Sequence, residues 1–273
     1  MINAFSIDLE DWFCVYNFSN VIKQEDWDSY EYRAEKNTRK LLLILDEFNV
    51  KCTFFVLGWI SEKSPELIKE IENRGHEIAF HTYTHSLINY LSREQFEEEI
   101  TKGLNIFKDI GIKQPISGFR APSFTITKDT YWALEILSKY NFRYDSSVFP
   151  VGFHPDYGIN NAPLSPYEIK ENLLEFPLSV LKIMGKNIPC CGGGYFRLYP
   201  YFLTKFMIKK VNRQGRPVNF YIHPWEIDPD QPKVNLPLLK KFRHYNNLNK
   251  TEKRLRKLLK DFKFTTIKNV LGL

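Results

Sequence analysis

Short apolar, β-rich runs alternate with helical segments along most of this chain, and several of the runs end in a residue that can do chemistry. Residues 2–8 read as a first strand, which stops at the acidic cluster Asp8-Leu9-Glu10-Asp11. Residues 40–48 are helical in pattern, with Leu41, Leu45 and Phe48 on one face. Residues 52–57 form a short apolar strand, and Pro65 then opens a helix that Gly75 stops. Residues 76–80 are the next strand, ending at His81. Ser92 and Gln95 make a capping box for a helix with Phe96, Ile100, Leu104 and Phe107 on its stripe, closed by Gly111. Residues 116–119 lead as a strand into Arg120. A helix over 127–140, strands at 142–145 and 173–176, and a Pro- and aromatic-rich loop over 150–166 follow. A Gly-rich turn at 190–194, a helix over 201–214 and a strong strand over 218–223 complete the pattern up to His223. A last helix carries Leu255, Leu258, Leu259 and Phe262 on one stripe, ahead of a strand near 264–267.

Strands regularly separated by helices imply parallel βα units, and 273 residues suit an α/β barrel formed as a single domain over 1–273. In such a barrel the C-terminal strand ends converge on one face. The carboxylate cluster, His81, His85, Arg120 and His223 are therefore expected in one cleft. His81-Thr82-Tyr83-Thr84-His85 has the spacing that puts two imidazoles on one side of a helical turn. A carboxylate from the first strand would complete a His₂–carboxylate set, which leaves positions open for water and substrate. Asp8 and Glu10 share a strand face because side chains alternate, but Asp11 is also a candidate ligand if the strand has already ended. A zincin motif fails on spacing, since His76-Glu77 is followed by His81 at the fifth position rather than the fourth.

Composition narrows the rest. Aromatic residues make up 15% of the chain, enough for a large core and a cleft lined with rings, and disorder is excluded as the dominant state. No apolar run approaches the roughly 18–20 residues that span a bilayer. The four cysteines include no C-x-x-C pair and read as reduced thiols. With no basic and apolar leader pattern at the start, a cytoplasmic location is the expectation. Between Lys233 and Lys263 there are eleven Lys/Arg against Glu252 and Asp261, leaving the remainder slightly acidic. The basic C-terminal helix at about 250–262 would then point Lys253, Arg254, Arg256, Lys257 and Lys260 outward, allowing weak contact with a membrane surface or phosphate; nucleic acid is not an expected partner.

Taken together, four motifs resemble, in order and spacing, those of the NodB-homology polysaccharide deacetylases, carbohydrate esterase family 4. They are Asp8-Leu9-Glu10-Asp11-Trp12-Phe13, His81-Thr82-Tyr83-Thr84-His85, Phe119-Arg120-Ala121-Pro122 and Ile222-His223-Pro224. Tyr157-Gly158-Ile159, Ala162-Pro163, Gly192-Gly193-Gly194-Tyr195-Phe196-Arg197 and His223-Pro224-Trp225-Glu226 resemble the branch found in exopolysaccharide loci. The resemblance covers residues 2 to about 230 and implies a distorted (β/α)₇ barrel with a divalent metal, usually Zn²⁺. Many members begin with adjacent aspartates, whereas Leu9 follows Asp8 here; related branches use Asp-x-Glu, which favours Glu10 over Asp11 as ligand.

The implied reaction is hydrolysis of the N-acetyl group of an N-acetylated sugar or oligosaccharide, releasing acetate. Asp8 would be the base, Arg120 its partner, and His223 the acid that protonates the amine; Asp145, Glu175 and Glu226 are all candidates to orient His223. Pro122 and the Gly193 turn would line the substrate, and His154, Tyr157, Tyr195 and Trp225 could stack on sugar rings. Two alternatives stay open: a metal-free, allantoinase-like amide hydrolase, and a non-catalytic sugar-binding module on the same fold.

Overall fold

The computed structural model describes residues 1–152 and 157–273. Eleven strands are found among these: β1 Ile2–Leu9, β2 Thr53–Val56, β3 Glu77–Phe80, β4 Gly118–Phe119, β5 Tyr144–Asp145, β6 Tyr167–Lys170, β7 Leu173–Glu175, β8 Val180–Ile183, β9 Lys186–Pro189, β10 Asn219–Ile222 and β11 Lys263–Thr265. The helices are α1 Ala34–Glu47, α2 Gly58–Lys63, α3 Pro65–Asn73, α4 Arg93–Ile110, α5 Trp132–Lys139, α6 Gly193–Leu198, α7 Tyr201–Arg213, α8 Leu238–Tyr245, α9 Leu248–Asp261 and α10 Ile267–Leu271.

Seven parallel strands run in the order β10-β1-β2-β3-β4-β5-β7 and curl into the expected distorted barrel. β6 adds an antiparallel edge beside β7, and β11 pairs with the start of β1. Side chains bridge the gap between β7 and β10: the Asn219 backbone N–H donates to Ser179 Oγ at 2.8 Å, and its Nδ2 to the Phe176 carbonyl at 3.0 Å. β2 and β3 are buried throughout and β1 from Asn3 onward, as parallel strands covered on both faces must be.

The large core lies between sheet and helices, and the barrel interior holds a smaller cluster of Ala4, Phe55, Ala79, Tyr144 and Phe176 closed by Ile267 of α10. The Ile267 N–H donates to Thr53 Oγ1 at 2.8 Å, so α10 plugs the end of the barrel away from the strand C-termini.

α4 starts at the Ser92–Gln95 capping box and ends at Gly111, whose φ of 85° suits glycine. Elsewhere the pattern needs correction. The helix expected over 127–140 is a 3₁₀ turn at Lys128–Thr130 followed by α5, because Thr130 Oγ1 bonds back to the Thr125 carbonyl at 2.8 Å. The Gly-rich turn becomes α6 from Gly193, and the strand expected near 264–267 ends at Thr265, after which Thr266 caps α10.

The basic C-terminal helix is less free than its sequence suggests. Arg254 donates to the Phe196 and Arg197 carbonyls, and Arg256 pairs with Glu47 and Glu252; only Lys253, Lys257 and Lys260 of the five face outward. Among the described residues no helix is long and apolar enough to cross a membrane.

Candidate functional site

Asp8 and Glu10 leave the end of β1 on the same face. Glu10 lies between two histidines, with His81 Nε2 at 3.2 Å and His85 Nε2 at 3.1 Å from its Oε1. His81 Nδ1 donates to the Arg120 carbonyl at 2.7 Å, which fixes the ring so that Nε2 faces Glu10. His85 Nε2 is buried and makes no hydrogen bond among the described residues. One ligand atom from each of Glu10, His81 and His85 falls within 4.8 Å of the others. Two inward imidazole nitrogens and a buried carboxylate are a donor set suited to a divalent cation. Burial works against the charge of Glu10, but His85, His223 and His81 outweigh it and hold its carboxyl well below the usual range.

The two histidines do not share a helical turn. His81–His85 is a loop in which Thr82 and His85 take positive φ, 62° and 58°. Glu99 of α4 holds it, accepting from the Tyr83 and Thr84 N–H groups at 2.7 and 2.9 Å, while the Thr82 carbonyl accepts from Gly58 N at 2.9 Å. These contacts sustain the costly left-handed conformation at two non-glycine residues.

Asp11 turns away from Glu10. Its carboxylate accepts from the backbone N–H groups of Trp12, Arg33 and Ala34 at 2.6–2.7 Å, tying the loop after β1 to the start of α1. It is outside the convergent group, which corrects its candidacy as a ligand. Burial raises its pKa to about 6 against the pull of those donors.

Arg120 is fully buried. It reaches Asp8 Oδ1 at 2.5 Å and Ser6 Oγ at 2.9 Å through Nη1, the Ser146 carbonyl at 3.0 Å through Nε, and Ser146 Oγ at 2.9 Å through Nη2. Its guanidinium lies 4.0 Å from the Phe55 ring centroid. The second Asp8 oxygen is 3.9 Å from His223 Nε2, which is also 3.7 Å from Glu10. Behind His223, Glu226 Oε1 accepts from Nδ1 at 2.7 Å and from the backbone N–H at 3.0 Å. Arg197 Nε donates to Glu226 Oε2 at 2.5 Å. Burial opposes the charge on His223, yet Glu10, Glu226 and Asp8 raise its pKa to about 9.

Of the three carboxylates open for orienting His223, Glu226 occupies the place. Asp145 and Glu175 face each other elsewhere in the interior, where burial raises both. The signal was a carboxylate three residues after the histidine, able to bond both its ring and its N–H.

Trp225 is buried rather than open to a sugar ring. It stacks between His223, 5.1 Å away, and His244, 4.3 Å away, and this corrects its reading as a platform. Tyr157 stacks on Phe149 at 5.7 Å, and Tyr195 is half-buried beside Tyr199. Pro122 is buried at the head of a 3₁₀ turn, and Gly193 opens α6. Gly192 has φ 98°, and a Cβ there would come within 2.3 Å of the Tyr221 carbonyl, so only glycine fits. His154 lies outside the described residues. Arg197, quoted in a motif without a role, and His244 went unassigned in the sequence.

Parts of the chain are similar to known proteins. Residues 27–144 match the polysaccharide deacetylase family. That stretch of the chain is similar to this family. Residues 146–272 match a domain described only as of unknown function, DUF3473, and the pairing of Tyr144 in β5 with Leu174 in β7 joins the two regions in one sheet. A peptidoglycan deacetylase of Helicobacter pylori is 29% identical over 126 residues, 46% of this chain and 42% of that protein. A chitooligosaccharide deacetylase of Sinorhizobium fredii is 31% identical over 85 residues, 31% of this chain and 40% of that protein. The chain thus spans less than half the length of these relatives. A candidate polysaccharide deacetylase from Mycobacterium smegmatis shares the fold, with TM-score 0.65 and 19% identity over 98% of this chain and 88% of that one.

Proposed function

We propose that this chain is a metal-dependent hydrolase that removes the N-acetyl group from an N-acetylated sugar of a polysaccharide or its precursor, releasing acetate. The observation that carries the reading is one cleft in which Glu10, His81 and His85 converge while Asp8 and His223 face each other 3.9 Å apart beside them. Glu10, His81 and His85 would hold the cation; Zn²⁺ suits this donor set and, when bound, supplies Lewis acidity to the acetyl carbonyl and to water.

The chain's own residues account for the proton movements. Asp8, anchored by Arg120, accepts a proton from the attacking water as the new C–O bond forms. His223, kept cationic by its carboxylate neighbours, gives its proton to the sugar nitrogen as the C–N bond breaks, so a neutral amine departs with acetate as co-product. Glu226 keeps the His223 ring turned so that Nε2 faces the cleft. The names of the similar proteins support peptidoglycan- and chitin-like N-acetylglucosamine units as substrates, and the motifs after residue 150 support the exopolysaccharide branch. Acetate release from a panel of N-acetylated oligosaccharides, before and after chelation, tests the reading. Chelator-sensitive release is the expected result, and sugar binding without acetate from any member would favour a non-catalytic module.

A further inference from the structure

We infer that α8 is an interfacial anchor that seats this face of the protein on an anionic lipid bilayer. Leu238, Leu239 and Phe242 are 87%, 63% and 54% exposed, three large apolar side chains within five residues of one short helix. The sequence that flanks and includes them carries Lys233, Lys240, Lys241, Arg243 and Lys250, and no acidic residue occurs between Asp230 and Glu252. None of these five cations makes an ion pair among the described residues, in contrast to Arg256 on α9.

The combination selects the occupant. A free phosphate or phosphorylated sugar would use the cations and leave the apolar side chains in water. A second copy packed symmetrically would bring like-charged helices together. An anionic bilayer surface meets both features, because apolar side chains enter the headgroup–acyl boundary while Lys and Arg stay at the phosphates.

The anchor is also tied to the site. His244, at the end of α8, stacks on Trp225 with 14° between the planes, and Trp225 stacks on His223. Arg197 holds the same end through the His244 and Asn246 carbonyls at 2.6 and 3.2 Å. If the hydrolase reading holds, its sugar is presented at a bilayer surface; the anchoring itself does not depend on that reading.

Co-sedimentation of the full chain with vesicles reads binding without turnover. Vesicles of equal parts phosphatidylcholine and phosphatidylglycerol should carry the protein down at low salt, and phosphatidylcholine alone should not. Lys240→Gln/Lys241→Gln/Arg243→Gln should weaken binding by about a hundredfold, from three surface cations. Lys240→Arg/Lys241→Arg/Arg243→Lys should retain it. Leu239→Ser/Phe242→Ser should also lose it, with only a small fall in thermal midpoint because more than half of each side chain is already exposed. Phe202→Ser/Phe206→Ser, on the exposed side of α7, should bind normally. Three results overturn the inference: no binding or equal binding to both vesicles, loss only in the α7 variant, or a concentration-dependent dimer that Leu239→Ser/Phe242→Ser abolishes.

Discussion

Arg120 and Arg197 are both buried and both pair with a carboxylate near the cleft, but they stand at different removes from it. Arg120 grips Asp8 itself, and its remaining donors are fixed by Ser6 and Ser146. Arg197 grips Glu226, which in turn grips His223. The difference follows from the charge each reacting group needs. A base must be anionic, so a cation can touch it directly. An acid at neutral pH must be cationic, so a carboxylate has to lie between it and the arginine that keeps that carboxylate ionised. The two arms also come from different stretches: Arg120 lies in the region matching the polysaccharide deacetylase family, whereas Arg197, His223 and Glu226 lie in the region of unknown function.

The strongest way to break this comparison is to remove each arginine. Arg120→Met and Arg197→Met should each lower stability by about 3–5 kcal/mol in chemical unfolding, because each leaves a buried carboxylate uncompensated. Adding Asp8→Asn to the first and Glu226→Gln to the second should recover part of that loss. An Arg197→Met protein as stable as the parent would mean that only one arm is built on a buried charge pair.

A smaller effect sharpens the acid arm. Glu226→Gln should keep the bound cation and reduce acetate release about 10–100-fold, the range for losing a residue that orients a functional imidazole. Equal turnover would leave His223 oriented by its backbone setting alone.

A third effect, spread over several pH units, probes the acid arm by pH. His244, behind Trp225, is buried and held neutral by burial and by Arg197, its pKa lowered to about 3. The unfolded chain takes up this proton below about 6.5 and the folded chain does not, so the stability it contributes is present above that pH. That stability should fall by roughly 1.4 kcal/mol per pH unit as pH drops toward 3. His244→Gln should flatten this slope in unfolding measured from pH 7 to pH 4, and an unaltered slope would assign the acid sensitivity elsewhere.

Much of this architecture was legible because it rests on local signals. The buried runs, the Ser92–Gln95 box, Pro65 and Gly111 mark elements by residue type, and the chemistry-bearing strand ends follow from parallel βα topology. The β8–β9 hairpin escaped notice because its strands are short and half-exposed, so neither alternation nor an apolar run marks them. The ambiguity between Glu10 and Asp11 was a matter of one residue, and the deciding N–H donors come from Arg33 and Ala34, distant in sequence. Trp225 misled because an aromatic beside a cleft histidine serves equally as a sugar platform or as packing. Only the position of His244, nineteen residues later, decides between them.

The division of labour within the strand-one cluster is the centre of the account, and one paired measurement tests it. Asp8→Asn and Glu10→Gln should be purified side by side, with bound divalent cation per chain and acetate release measured on both. Asp8→Asn should keep the cation and lose about 10²–10⁴ in turnover, the contribution of a positioned base. Glu10→Gln should lose the cation, because its carboxylate is the anionic member of the donor set. An Asp8→Asn protein that loses the cation while Glu10→Gln retains it would reverse the two roles and contradict the account.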